Sequence, residues 1–209
     1  MNKKLPFKSS NFRKTETLLA VYKNKTYIWR ELKILLYKKI LLYKPYNKNT
    51  IMSLEKTLVI LKPSAVQRGL IGEITSRFER KGLRLAGMKM MQLTEEILNE
   101  HYAHLAERPF FARVKASMMA SPVIVCCYEG VDAIQVVRSM TGATNGRVAI
   151  PGTIRGDFSM SSQENIIHTS DSPKTAATEV ARFFQPEELF EYQQNAFPFL
   201  YYTDEYQLV

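Results

Sequence analysis

Residues 56–82 read KTLVILKPSAVQRGLIGEITSRFERKG, and the order of signals in that stretch decides the fold. The apolar run Lys56–Leu61 has strand composition, and Lys62-Pro63 ends it. Ser64 is placed to cap a helix reaching about Lys81, with Val66, Leu70, Ile74 and Phe78 at helical spacing. Gly82 stands where a helix stops in a left-handed residue. A strand thus hands directly to a helix, and the rest of the chain repeats that alternation.

Leu83–Leu93 reads as a second strand. Thr94, followed by Glu95 and Glu96, caps a helix over Thr94–Ala106, and Arg108–Ala120 reads as a second, short one. Pro122–Tyr128 is a buried strand, and Val131–Met140 a helix whose end carries Arg138. Thr141–Phe158 is a long loop holding Gly142, Gly146, Gly152 and Gly156. Asn165–His168 is a last short strand, Pro173–Phe184 the last clear helix, and Pro186–Tyr192 a further turn. This order leaves no room for a six-stranded doubly wound sheet. The expected fold is α+β: a ferredoxin-like sandwich in which helices back one face of a four-stranded antiparallel sheet.

The net charge of +9 on 209 residues first suggests a nucleic-acid or membrane partner. Its distribution withdraws that suggestion. Residues 1–51 carry 13 Lys+Arg against 2 Asp+Glu, so the remaining 16 and 18 leave residues 52–209 at −2. Neither partner is expected for the globular part. The chain divides into a basic leader, 1–51, a domain, 52–192, and a C-terminal tail, 193–209. Lysines interrupt every apolar run of the leader, which argues against a secretory signal. Its Lys, Asn, Ile, Tyr and Leu content resembles translated AT-rich non-coding sequence, which would make Met52 the working start. A targeting segment or a surface tether is the other reading. Cys126 and Cys127 are neighbours in a strand, so they point to opposite faces and do not pair. Buried, reduced thiols suit a cytoplasmic protein.

Asn165–Ser172 reads NIIHTSDS. Ser172 and Pro173 open a helix, so His168 sits where a strand gives way to one. A neutral imidazole there can attack an electrophile, although a core or capping histidine is the blander alternative. The chain has no G-x-x-x-x-G-K-[ST] and no G-x-G-x-x-G, so a phosphate site would have to be built from side chains. Lys62 at a strand end, Arg138, and Thr144, Arg147 and Arg155 of the glycine-rich loop are the candidates. Taken singly, each is an ordinary surface polar or charged group. Phe110 offers an aromatic face for a base, whereas Phe111 reads as core, and Tyr102 is ambiguous between the two. His101 and His104 read as surface histidines, with no third ligand spaced to make a metal site.

Six motifs, in order and spacing, resemble the nucleoside diphosphate kinase family: TLVILKP (57–63), VQRGLIG (66–72), RPFFA (108–112), MTGATN (140–145), PGTIRGDF (151–158) and NIIHTSDS (165–172). The likeness spans about Leu54 to Tyr192. It implies ping-pong transfer of a γ-phosphate from a nucleoside triphosphate to a nucleoside diphosphate, with His168 as the phosphorylated nucleophile. It further implies that Lys62, Tyr102, Arg138, Thr144, Arg155 and Asn165 hold phosphates and sugar or frame the histidine. Phe110 would stack on the base with Val114 beside it, and Ser170 and Glu179 would support His168. Mg²⁺ would ride on the nucleotide phosphates, without a protein cage, and the chain would form a homo-oligomer, tetramer or hexamer.

The sequence departs from the family in three places. Thr169 stands where glycine is usual, and its β-branch restricts the backbone. Gly146 and Val148–Ile150 give the long loop an unusual composition. The tail lies outside the shared pattern, and is expected to pack on a neighbouring subunit.

Overall fold

The computed structural model describes residues 54–201; the readings of the leader and of the tail's last residues lie outside the described residues. β1 (Glu55–Leu61) pairs antiparallel with β3 (Val123–Gly130) on one side and β4 (Ile167–Thr169) on the other, and β2 (Arg84–Met91) pairs antiparallel with β3. The order β2-β3-β1-β4 is the ferredoxin-like sheet expected.

Helices cover both faces of that sheet, where the sequence had suggested one. Val59 and Leu61 of β1, with Cys126 and Tyr128 of β3, pack on Ile74 and Phe78 of α2 (Ile71–Lys81) and on Ala133 and Val137 of α5 (Ala133–Thr141). Leu58 and Ile60 face the other way, with Cys127, onto Leu98 of α3 (Glu95–His101), Met118 of α4 (Phe111–Met119) and Val180 and Phe183 of α7 (Pro173–Phe183). The reason is in the central strands. Side chains alternate between faces, and β3 is buried at all eight positions, so both faces need a cover. Cys126 and Cys127 fall in opposite clusters as free thiols, and burial pushes both up to about 12.

Several boundaries move. The single helix expected over Ser64–Lys81 is two, α1 (Pro63–Gln67) and α2, broken by a turn at residues 68–70. Pro63 takes the first helical position, so Lys62 and not Ser64 is the N-cap residue. Gly82 ends α2 in the left-handed conformation, as read. Thr94 caps α3 through Ile97 N–H, but α3 stops at His101 and a 3₁₀ turn, Ala103–Leu105, follows. The long loop is not structureless: it holds a 3₁₀ turn, Gly146–Val148, and α6 (Ile154–Phe158), capped by the Thr153 hydroxyl. The last strand starts two residues later than expected, at Ile167. Ser172 caps α7, its hydroxyl accepting from Thr175 N–H at 3.2 Å.

The segment after α7 edges the sheet. Phe190 N–H donates to Ala86 O at 2.8 Å, and the Tyr192 hydroxyl donates to Leu85 O at 3.0 Å. Further on, the tail packs on its own chain: Leu200 lies against Gly82, and the Tyr201 hydroxyl accepts from Val131 N–H at 3.3 Å.

Candidate active site

A cleft of about 830 Å³ opens over the β1–β4 edge. His168 lines it from the middle of β4, paired across the ladder with Ile60. The backbone that delivers His168 is unusual. Ile166, fully buried, has φ +72°, and the tight turn around it closes with Ile167 N–H on Asn165 O at 2.8 Å. A β-branched residue there is strained, and the surroundings hold it: Lys62 N–H donates to Ile166 O at 2.9 Å. Thr169, by contrast, needs no positive φ. It sits in β4 opposite Val59, so the β-branch found where glycine is usual fits its strand.

Arg155 ties two segments of backbone together. Its Nε donates to Asn165 O at 3.2 Å, Nη1 to Gly142 O at 3.0 Å and Nη2 to Ile167 O at 2.7 Å. Two of its five N–H groups remain for an anion. Gly142 is required at its place: its φ is +82°, and a Cβ would lie 2.3 Å from Thr153 Oγ1. Asn165 joins the glycine-rich loop to the strand end. Its Oδ1 accepts from Lys62 Nζ at 2.6 Å, and its Nδ2 donates to Thr144 O at 3.2 Å and Ser162 O at 2.7 Å.

Charge in the cleft is mostly positive. Burial, then the Arg155 charge, brings the Lys62 ammonium down to about 8. Burial, then Arg138, brings the Arg155 guanidinium down to about 10. Each is lowered by a neighbouring cation, Lys62 by Arg155 and Arg155 by Arg138, so the cluster gains from a polyanion between them. Arg138 and Thr144 stand exposed on the wall with them.

Behind the histidine lies its support. His168 Nε2 is 3.0 Å from Glu179 Oε1, while Glu179 Oε2 accepts from the Ser170 hydroxyl at 2.5 Å. Ser170 Oγ accepts in turn from Leu58 N–H at 3.2 Å. Burial works to raise the Glu179 carboxyl, but the His168 hydrogen bond and charge and the Ser170 hydroxyl hold it below the usual carboxylate range. An ionised carboxylate only accepts, so Nε2 carries the proton, and the Nδ1 lone pair of His168 has no hydrogen-bond partner among the described residues.

A second cavity, of about 390 Å³, adjoins the first and shares Lys62, Tyr102 and Thr144 with it. Phe110 and Val114 line it, and Phe110 is 40% exposed. Phe111 packs into the core instead. Arg147 lines neither cavity; its Nη1 donates to Met160 O at 3.1 Å.

One reading of the sequence is overturned. His101 is not on the surface: its side chain is 1% exposed, at the end of α3, against His168 and Glu179. The signal was present, because Leu98 and His101, three apart on α3, are its buried residues. His101, His168 and Glu179 bring two imidazoles and a carboxylate within 4.8 Å of one another. Glu179 already accepts on both oxygens, and Arg182 Nη1 lies 3.4 Å from His101 Nδ1, so these groups hold one another. The sequence reading also missed Lys174, Thr175 and Arg182, which α7 brings to the cleft wall.

A cationic cleft around the partly exposed His168 imidazole, beside an aromatic-lined hollow, has the chemistry that suits an enzyme handling nucleotide phosphates. The family model described as nucleoside diphosphate kinase matches residues 55–189. The nucleoside diphosphate kinase of Parabacteroides distasonis is 67% identical over 153 residues, covering 73% of this chain and all of that protein. That of Pyrococcus horikoshii is 51% identical over 145 residues, 68% of this chain and 92% of the relative. The solved structure of a halophilic nucleoside diphosphate kinase from Halobacterium salinarum in complex with CDP superposes with a TM-score of 0.70 at 41% identity, covering 71% of this chain and 99% of that one. The chain belongs to the nucleoside diphosphate kinase family, and it is a kinase acting on nucleotides.

Proposed function

We propose that the chain moves the γ-phosphate of a nucleoside triphosphate, typically ATP, onto a nucleoside diphosphate through a phosphohistidine at His168 Nδ1. The observation that carries this reading is the 3.0 Å contact of His168 Nε2 with Glu179, which leaves Nδ1 as the free nucleophile. The Nδ1 lone pair attacks the γ-phosphorus, and the bond to the β,γ-bridging oxygen breaks with its electron pair leaving on the diphosphate. The second half reverses this: a terminal oxygen of the acceptor diphosphate attacks, and the N–P electrons return to Nδ1. The imidazolium that forms at the phosphorylated stage keeps its Nε2 proton against the Glu179 carboxylate. Lys62, Arg138 and the spare N–H groups of Arg155 bind phosphate oxygens, with Thr144, Asn165 and Tyr102 placing phosphates and sugar. Phe110 stacks on the base beside Val114. Stacking is tolerant of base identity, which suits many acceptors, CDP among them.

Mg²⁺ fits this cleft as an ion carried by the nucleotide. It prefers an oxygen shell, and of the two carboxylates lining the cleft Glu179 is committed to His168 and Ser170. Asp171 is the other, held below the usual range by the Thr175 hydroxyl and then by Ser172 and Arg138. Bound on the phosphates, Mg²⁺ supplies charge neutralisation. A homo-oligomer, tetramer or hexamer, suits the exposed apolar side chains Met88 and Met90 of edge strand β2, and Val148, Ile150 and Met160 around the long loop. A cytoplasmic location suits the two buried free thiols. Among the described residues no helix is long and apolar enough to cross a membrane.

The test is incubation with γ-labelled ATP. The proposal expects an acid-labile, base-stable phosphoenzyme that discharges onto nucleoside diphosphates and is absent in His168→Asn. Label persisting in that variant would remove His168 as the nucleophile.

A further inference from the structure

His101 stands edge-on against the ring of His168, with centroids 4.6 Å apart and planes at 73°. Its own orientation is fixed from three sides. Tyr102 and Phe183 pack edge-to-face on it at 4.5 and 5.1 Å, and Arg182 Nη1 reaches its Nδ1 at 3.4 Å. Arg182 is itself tied by Nε to Glu100 Oε1 at 2.7 Å. Guanidinium only donates, so Nδ1 of His101 accepts and Nε2 carries the proton, without a partner among the described residues. His101 Nδ1 lies 3.7 Å from Glu179 Oε1, so the ring also walls off the carboxylate oxygen that holds His168. Burial, then the His168 charge, brings the His101 imidazole down to about 3, so it stays neutral and does not compete for the Glu179 charge.

A histidine nucleophile has two ring nitrogens, and the ring turns about Cβ–Cγ. One hydrogen bond, from Nε2 to Glu179, resists that turn, and a single bond of this kind is a modest restraint by itself. From this packing we infer that His101 is a positioning residue that closes the space in which the His168 imidazole would rotate, and so fixes which of its nitrogens is phosphorylated. The inference deepens, and rests on, the assignment of His168 as the nucleophile. His101 touches no reacting atom; it acts through the ring beside it.

The test compares the isomers of phosphohistidine formed on γ-labelled or unlabelled ATP, read by ³¹P NMR of the denatured phosphoenzyme at alkaline pH. The wild-type chain should give the Nδ1 isomer alone. His101→Ala should give a mixture with the Nε2 isomer, and form phosphoenzyme about tenfold more slowly, with the nucleotide KM within about twofold of wild type. His101→Phe, which restores a planar ring between Tyr102 and Phe183, should return the single Nδ1 isomer. His101→Val carries the same expectation as the alanine variant, should that chain fail to fold by circular dichroism. A single Nδ1 isomer in a folded His101→Ala or His101→Val chain would overturn the positioning role and leave the nucleophile assignment standing. No phosphohistidine in the wild-type chain, or label persisting in His168→Asn, would overturn both.

Discussion

His168 Nε2 and Glu179 Oε1 are 3.0 Å apart, and the other carboxylate oxygen accepts from Ser170. The acid therefore orients the imidazole and offsets the positive charge that the ring gains on phosphorylation. Glu179→Gln keeps the shape and removes the charge. Its kcat should fall by about 10- to 100-fold, equivalent to ~1.4–2.7 kcal/mol, with the nucleotide KM little changed. Single-turnover phosphorylation by ATP measures it.

Lys62 gives the site a dependence on alkaline pH. Its ammonium is down at about 8, chiefly by burial. A lowered lysine value means the charge is present below pH 8 and is lost as pH rises through it, so affinity for a nucleoside diphosphate should weaken across that range. Bound phosphate favours the charged form, so binding near pH 8 should also take up protons. Titration calorimetry in buffers of different ionisation enthalpy would show the uptake, and Lys62→Arg should abolish it.

Arg155 bonds to three backbone carbonyls, of Gly142, Asn165 and Ile167, before any substrate arrives. Lysine cannot reproduce that fork. Arg155→Lys should lose about 2–4 kcal/mol of stability in chemical denaturation, as well as activity. An unchanged midpoint would show that the three bonds are not maintained in solution.

Thr169 pairs with Val59 in β4 and has no left-handed backbone to relieve. Restoring the family's glycine should therefore not raise activity. Thr169→Gly should leave kcat within about twofold and cost about 0.5–1 kcal/mol through backbone entropy. A several-fold gain in kcat would show that the threonine strains the site.

Much of the fold was legible because it rests on local chemistry. Thr94 and Ser172 cap helices where their neighbours predicted, and Gly82 ends one in the left-handed region. Errors arose where the local signal was ambiguous. Pro63 displaced the expected cap by two residues, and the glycines of the long loop concealed α6. Helices on both faces followed from β3 being buried throughout, a pattern that a run of apolar residues does not assign to one cover or two.

The α+β class, the order of the four strands, and the motifs that nominate His168 and its cationic partners follow from the order of residues alone. Only the tertiary structure decided what those side chains do to one another. Lys62 and Asn165 are 103 positions apart and 2.6 Å apart in space, and His101 reaches His168 from a different helix. Local patterns record periodicity and capping, which act over a turn or two of chain. The burial, charge coupling and ring packing that shape the nucleophile exist only once distant segments share one core.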